Sequence, residues 1–89
     1  MAGRIRIEDV NRPVVGQLYP LASLWDGEAA PFPSEGAARW FIRRNREALV
    51  RGKALAIDSG RWLVNRERFS QLREELAETR AEARLGASA

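Results

Sequence analysis

The 89-residue chain has no cysteine and no histidine, and only one methionine, one tyrosine and one lysine. Without cysteine there are no disulfides, no thiolate metal sites and no thiol nucleophile. Without histidine, imidazole acid–base chemistry is excluded as well. No apolar run approaches the roughly 20 residues that cross a bilayer. No signal-peptide h-region follows Met1. A cytoplasmic protein with no need of an oxidising compartment is expected. A chain this short holds one domain with a modest core and leaves no room for a separate catalytic domain.

What is present is arginine, unevenly placed. The net charge is +3. Residues 1–33 carry three basic and four acidic side chains, and residues 69–89 again three and four. Residues 34–68 carry nine basic side chains (Arg39, Arg43, Arg44, Arg46, Arg51, Lys53, Arg61, Arg66, Arg68) against four acidic ones, a local +5. A basic patch of this kind suits a polyanion. Arginine forks onto phosphates and guanine edges, where lysine acts as a point charge.

Residues 1–15 read as a flexible N-terminal arm, in which Arg4–Ile7 alternates as a strand would; Pro13 discourages helix. Gly16–Tyr19 suits a short strand. Pro20 suits the first turn of a helix over Leu21–Trp25, with Leu21, Leu24 and Trp25 on one apolar face. Asp26-Gly27 ends it. Ser34 is expected to cap a second helix, with Glu35 near the positive end of its dipole. Ala38, Phe41 and Ile42 form that helix's apolar face. Arg39, Arg43 and Arg46 are expected opposite, with Ala37, Trp40 and Arg44 on a flank. The pattern allows a break near Asn45 with a further turn over Arg46–Arg51, or one helix to Gly52. Ala54–Ile57 and Arg61–Val64 are short apolar runs about a tight Asp58-Ser59-Gly60 turn, a hairpin signal. Asn65 can cap a third helix, whose seam Phe69, Leu72 and Leu76 thins beyond Glu78. The sum is an α+β chain, mainly α: a small winged helix-turn-helix over residues 16–78 with a two- or three-stranded wing sheet. Residues 79–89 form the end of an extended C-terminal helix and a tail.

The segments Tyr19–Trp25, Ser34–Arg43 and Ile57–Val64 resemble the excisionases, the recombination directionality factors of temperate phages and of integrative and conjugative elements. These are grouped with MerR-like winged helix-turn-helix proteins. The likeness covers roughly residues 17–72; the long charged C-terminal helix departs from the shortest members. The resemblance implies double-stranded DNA as ligand, tandem sites filled cooperatively by self-association, DNA bending, and a tyrosine recombinase (integrase) as partner. Some members also regulate transcription. Ser34–Asn45 would match the recognition helix, entering the major groove. Ser59-Gly60-Arg61 would match the wing tip, touching backbone or minor groove.

Within that frame, Arg39 and Arg43 at i, i+4 can reach guanine O6 and N7, each contact worth about 1–3 kcal/mol of discrimination. Ser34, Glu35 and Gly36 open the helix, where backbone N–H groups meet phosphate. Gly36 leaves room for close approach. Arg44, Arg46, Arg51, Lys53 and Arg61 are further candidates for phosphate, with Arg61 able to reach a minor groove. The alternative for these charges is a solvated helix face paired with Glu35 and Glu47. Trp25 and Trp62 are assigned to the core, and Trp40 to its border with DNA or a neighbouring protomer. Glu67, Glu74, Glu75, Glu78 and Glu82 have no metal or catalytic spacing, and i, i+4 pairs explain them. No enzyme activity, cofactor or small-molecule substrate is therefore expected. Two other readings remain open: a transcriptional regulator of the same fold, and a protein-interaction module docking through Phe69-Leu72-Leu76.

Overall fold

A computed structural model describes residues 10–27 and 29–88. Along the chain run β1 (Leu18–Pro20), a 3-10 turn (Leu21–Leu24), α1 (Glu35–Arg51), β2 (Leu55–Asp58), β3 (Arg61–Asn65) and α2 (Arg66–Ser88). The strands form one antiparallel sheet in the order β1-β3-β2. The chain is thus α+β and mainly α, with a hairpin wing, a third strand and an extended C-terminal helix.

The segment after Pro20 differs from expectation. It is a single 3-10 turn, not an α-helix. Four residues between a strand and the Asp26-Gly27 bend are too few for α-helical propagation. The backbone N–H groups of Trp25 and Asp26 both donate to Ala22 O, at 3.1 and 2.8 Å, and close the turn. The preceding strand starts at Leu18 rather than Gly16.

Residues 10–15 also depart from a mobile arm. Val10 is fully buried. Val14 N–H donates to Leu18 O at 2.7 Å, and Leu18 N–H to Val15 O at 2.8 Å. Arg66 Nη1 reaches Asn11 Oδ1 at 3.5 Å. These residues therefore belong to the folded body. The Arg4–Ile7 alternation lies outside the described residues.

α1 begins as its sequence suggests. Ser34 has extended backbone, and its Oγ accepts from Ala37 N–H at 3.2 Å. The helix runs to Arg51 but is interrupted at Asn45, where φ is −125° and ψ 20°. Both sequence readings of its end thus hold a part: one continuous element, with a kink where the break was placed. Its exit is a Schellman motif. Lys53 N–H donates to Val50 O (3.1 Å) and Ala54 N–H to Leu49 O (2.8 Å). The left-handed position falls on Lys53, with φ 64°, not on the neighbouring glycine. Gly52 serves another purpose: a Cβ there would collide with the Leu72 side chain and stand 3.0 Å from Ala48 O. Arg68 Nε donates to Gly52 O at 2.9 Å, closing α2 onto the end of α1.

The hairpin turns through Ser59 and Gly60, both at positive φ (53° and 75°), between the paired residues Asp58 and Arg61. This is the two-residue type I′ pattern, whose twist matches the flanking strands. Leu55 lies opposite Val64, and both are buried. Leu63, on the other face by alternation, is buried too.

The core joins Leu24, Phe32, Ala38, Ile42, Leu49, Ala54, Leu55, Val64 and Phe69. Phe32, Phe41 and Phe69 form a ring cluster with centroids 5.6, 5.7 and 6.0 Å apart. Phe41 is half-buried rather than enclosed, and the Arg73 guanidinium lies 4.2 Å from the Phe32 ring centroid and 5.6 Å from that of Phe41. Asn65 caps α2, its Oδ1 accepting from Arg68 N–H at 3.0 Å. Phe69 enters the core, Leu72 packs against it, and Leu76 is half-buried. From Ala77 to Gly86 every residue is exposed. The apolar seam proposed as a docking surface is therefore largely taken up by the chain's own core.

Candidate nucleic-acid interface

At about 100° per residue, α1 presents three sides. Ala38, Ile42, Asn45 and Leu49 are buried and define the inward side. Trp40, Arg44, Glu47 and Arg51 fall on the outward crest. Arg39, Arg43 and Arg46 occupy a flank roughly a quarter-turn from both. This reverses the sequence expectation, which put the three arginines opposite the core and Trp40 with Arg44 on a flank. The cause is the position of the inward side, which centres on Ile42 and Leu49 rather than on Phe41.

The flank faces the sheet. Arg39, Arg43 and Arg46 line a hollow of about 140 Å³ with Leu21, Ile42, Leu55 and Trp62. Two of the three guanidiniums are held on aromatic faces. Arg39 lies 5.3 Å from the Trp25 ring centroid and Arg46 5.7 Å from that of Trp62. Arg39 Nε also bonds Glu35 Oε2 at 2.6 Å. Arg43 makes no ion pair, hydrogen bond or ring contact among the described residues.

On the crest, Arg44 stacks over Trp40 at 4.8 Å. Trp40 is 56% exposed, the largest ring left open to solvent. Arg51 pairs with Glu47 at 2.9 Å, both highly exposed. A second, open hollow runs along Arg44, Asn45, Glu47, Ala48 and Arg51. At the helix start the Ser34 hydroxyl is occupied by capping. In front of Gly36 an added Cβ would meet nothing nearer than Ser34 Oγ at 3.9 Å. Lys53 is exposed at the opposite end of α1.

The hairpin contributes less than expected to this cluster. Ser59, Gly60 and Arg61 are all exposed at the tip. By strand alternation Arg61 points to the sheet face away from Trp62 and the hollow. Arg61 therefore stands apart from Arg39, Arg43 and Arg46. Two other arginines of the basic third are held within the fold. Arg68 bonds Gly52 O and Gln71 Oε1, and Arg66 lies over the Tyr19 ring at 5.0 Å.

Trp25 and Trp62 pack against the core as assigned, but both are half-buried and also support arginines. Local spacing carries no sign of this, since each pair joins two separate elements. Among the described residues, no helix is long and apolar enough to cross a membrane. Nor, among them, do three or more acidic side chains cluster as metal ligands would. Compared with protein-family models, with curated proteins and with solved structures, the chain matches none.

Proposed function

We propose that this chain binds double-stranded DNA through α1 and the hairpin, as an architectural factor of the excisionase type. The observation that carries the reading is the flank of Arg39, Arg43 and Arg46, which converge on one hollow beside the hairpin, next to an arginine-bearing crest. An α-helix with its side chains is about 10–12 Å across, and the major groove about 12 Å wide. Arg39 to Arg46 spans about 10 Å along the axis, close to three base-pair steps. In this docking the crest, with Trp40 and Arg44, meets base edges. The flank meets the phosphates of the strand passing between α1 and the hairpin. Arg61 and Lys53 touch backbone further out.

The aromatic supports suit this task. A guanidinium held on a ring loses less rotamer freedom when a phosphate arrives. One domain of this size cannot readily fund a bend, which costs on the order of 1–6 kcal/mol over 20–30 bp. Several copies on neighbouring repeats can share it. A tyrosine recombinase would be the partner whose excision reaction the bent complex directs.

A salt series of gel shifts tests the reading. Log affinity is expected to fall with log salt by about 0.9 per phosphate neutralised. Footprints should grow in whole-repeat steps with protein concentration. An excision assay with the cognate recombinase then separates this role from that of a transcriptional regulator. Affinity indifferent to salt removes the DNA reading altogether.

A further inference from the structure

One residue breaks α1 in the middle. Asn45 leaves helical φ/ψ while the backbone on both sides keeps it. Its side-chain Nδ2 donates to Phe41 O at 2.9 Å. An unbroken helix bonds that carbonyl with the backbone N–H of residue 45. Asparagine can compete with a helix in this way. Asn45 is 8% exposed, so its Oδ1 needs a donor of its own. That donor comes from α2: Arg80 Nη2, at 2.7 Å and 35 residues further along. The bond is charge-assisted and belongs to the stronger class.

The break divides the basic side chains. Arg39, Arg43 and Arg44 precede it; Arg46 and Arg51 follow it. The direction of the second half of α1 depends on the backbone at residue 45, and a helix bends most easily where its ladder is interrupted. We propose that Arg80 is a positioning residue: by holding Asn45 Oδ1 it fixes the angle between the two halves of α1, and so the placement of Arg46 relative to Arg39 and Arg43. Arg80 reaches this joint from α2, at a residue that lines the open hollow with Arg44 and Arg51. The functional consequence rests on the DNA reading above; the joint rests on the geometry alone.

The absence of cysteine makes the test direct. Gly36→Cys and Val50→Cys place a pair of spin labels at exposed positions on either side of the break. Arg80→Met keeps the aliphatic stem and removes the donor; Arg80→Lys restores one. In Arg80→Met the label distance is expected to shift or broaden by about 2 Å, and to return in Arg80→Lys. On DNA selected with the unsubstituted protein, Arg80→Met should bind about tenfold more weakly, again with recovery in Arg80→Lys. A merely stabilising contact would lower the unfolding temperature and leave both readouts unmoved in the folded protein. An unchanged label distance overturns the joint. A changed distance with unchanged DNA affinity overturns the positioning role. If the unsubstituted protein has no salt-dependent affinity for DNA, the reading of the interface fails and takes the positioning role with it. The label distances still decide the joint.

Discussion

Glu35 Oε2 lies 2.6 Å from Nε of Arg39, one turn further along α1. The pair places a carboxylate at the edge of a surface proposed to receive phosphate. Both side chains are about half exposed, so their attraction adds little to folding.

Glu35→Gln should therefore move affinity and stability in opposite directions. Removing the charge frees Arg39 and lowers repulsion of the duplex. Affinity should rise by about two- to fivefold at low salt, with the gain fading as salt screens it. The loss of an acidic residue from the first turn should cost no more than about 1 kcal/mol. Anisotropy titrations and chemical denaturation measure the two sides.

Arg44 and Arg43 should behave differently, since one is on the crest and the other on the flank. Arg44→Ala should relax sequence choice, losing about 1–3 kcal/mol on the selected site and less on random DNA. Arg43→Ala should weaken both alike and reduce the salt slope by about one. With no intramolecular partner among the described residues, Arg43 can be removed with little effect on unfolding. Binding to selected and random duplexes across salt separates the two patterns.

Lys53→Gly joins a gain to a loss. Lys53 holds the left-handed position of the Schellman motif, which glycine fills without steric penalty. Stability should rise by about 1 kcal/mol. The salt slope of DNA binding should fall by about one, because a backbone contact is lost. Equal affinity in both proteins would remove Lys53 from the interface.

Phe41→Ala tests the ring cluster. Full burial would put the cost at about 3–5 kcal/mol. Phe41 is half-buried, and its replacement removes two ring contacts and the more distant of the two rings beside Arg73. About 2–3 kcal/mol is expected, less than for Phe69→Ala at the buried corner of the cluster. Urea unfolding of the two variants ranks them.

The parts of this fold legible in the sequence are those set by neighbours along the chain. Ser34 and Asn65 cap their helices because each needs only an N–H three residues on. Ser59-Gly60 forms its turn because φ above zero is demanded at two adjacent positions. Leu55 and Val64 follow from alternation. What escaped depends on distant partners or on competition for one residue. Val10 is buried although Pro13 hides any local period there. Gly52, the obvious left-handed residue, is instead kept small for Leu72, so Lys53 takes the strained position. The seating of Arg39 on Trp25 and Arg46 on Trp62 joins separate elements. The rotation of α1 is not legible from apolar spacing, because the polar Asn45 lies on its buried side while the apolar Phe41 is only half-buried.

The bare outer half of α2 has an energetic consequence. Up to Leu76 the rod is anchored by Phe69 and Leu72, and Arg80 tethers the next turn to Asn45. From Ala77 to Gly86 the residues are exposed, and alanine propensity and neighbouring charges help to sustain the coil. Amide protection should therefore fall in a gradient along a single unbroken helix: close to the global value near Phe69, and set by local fraying at the far end.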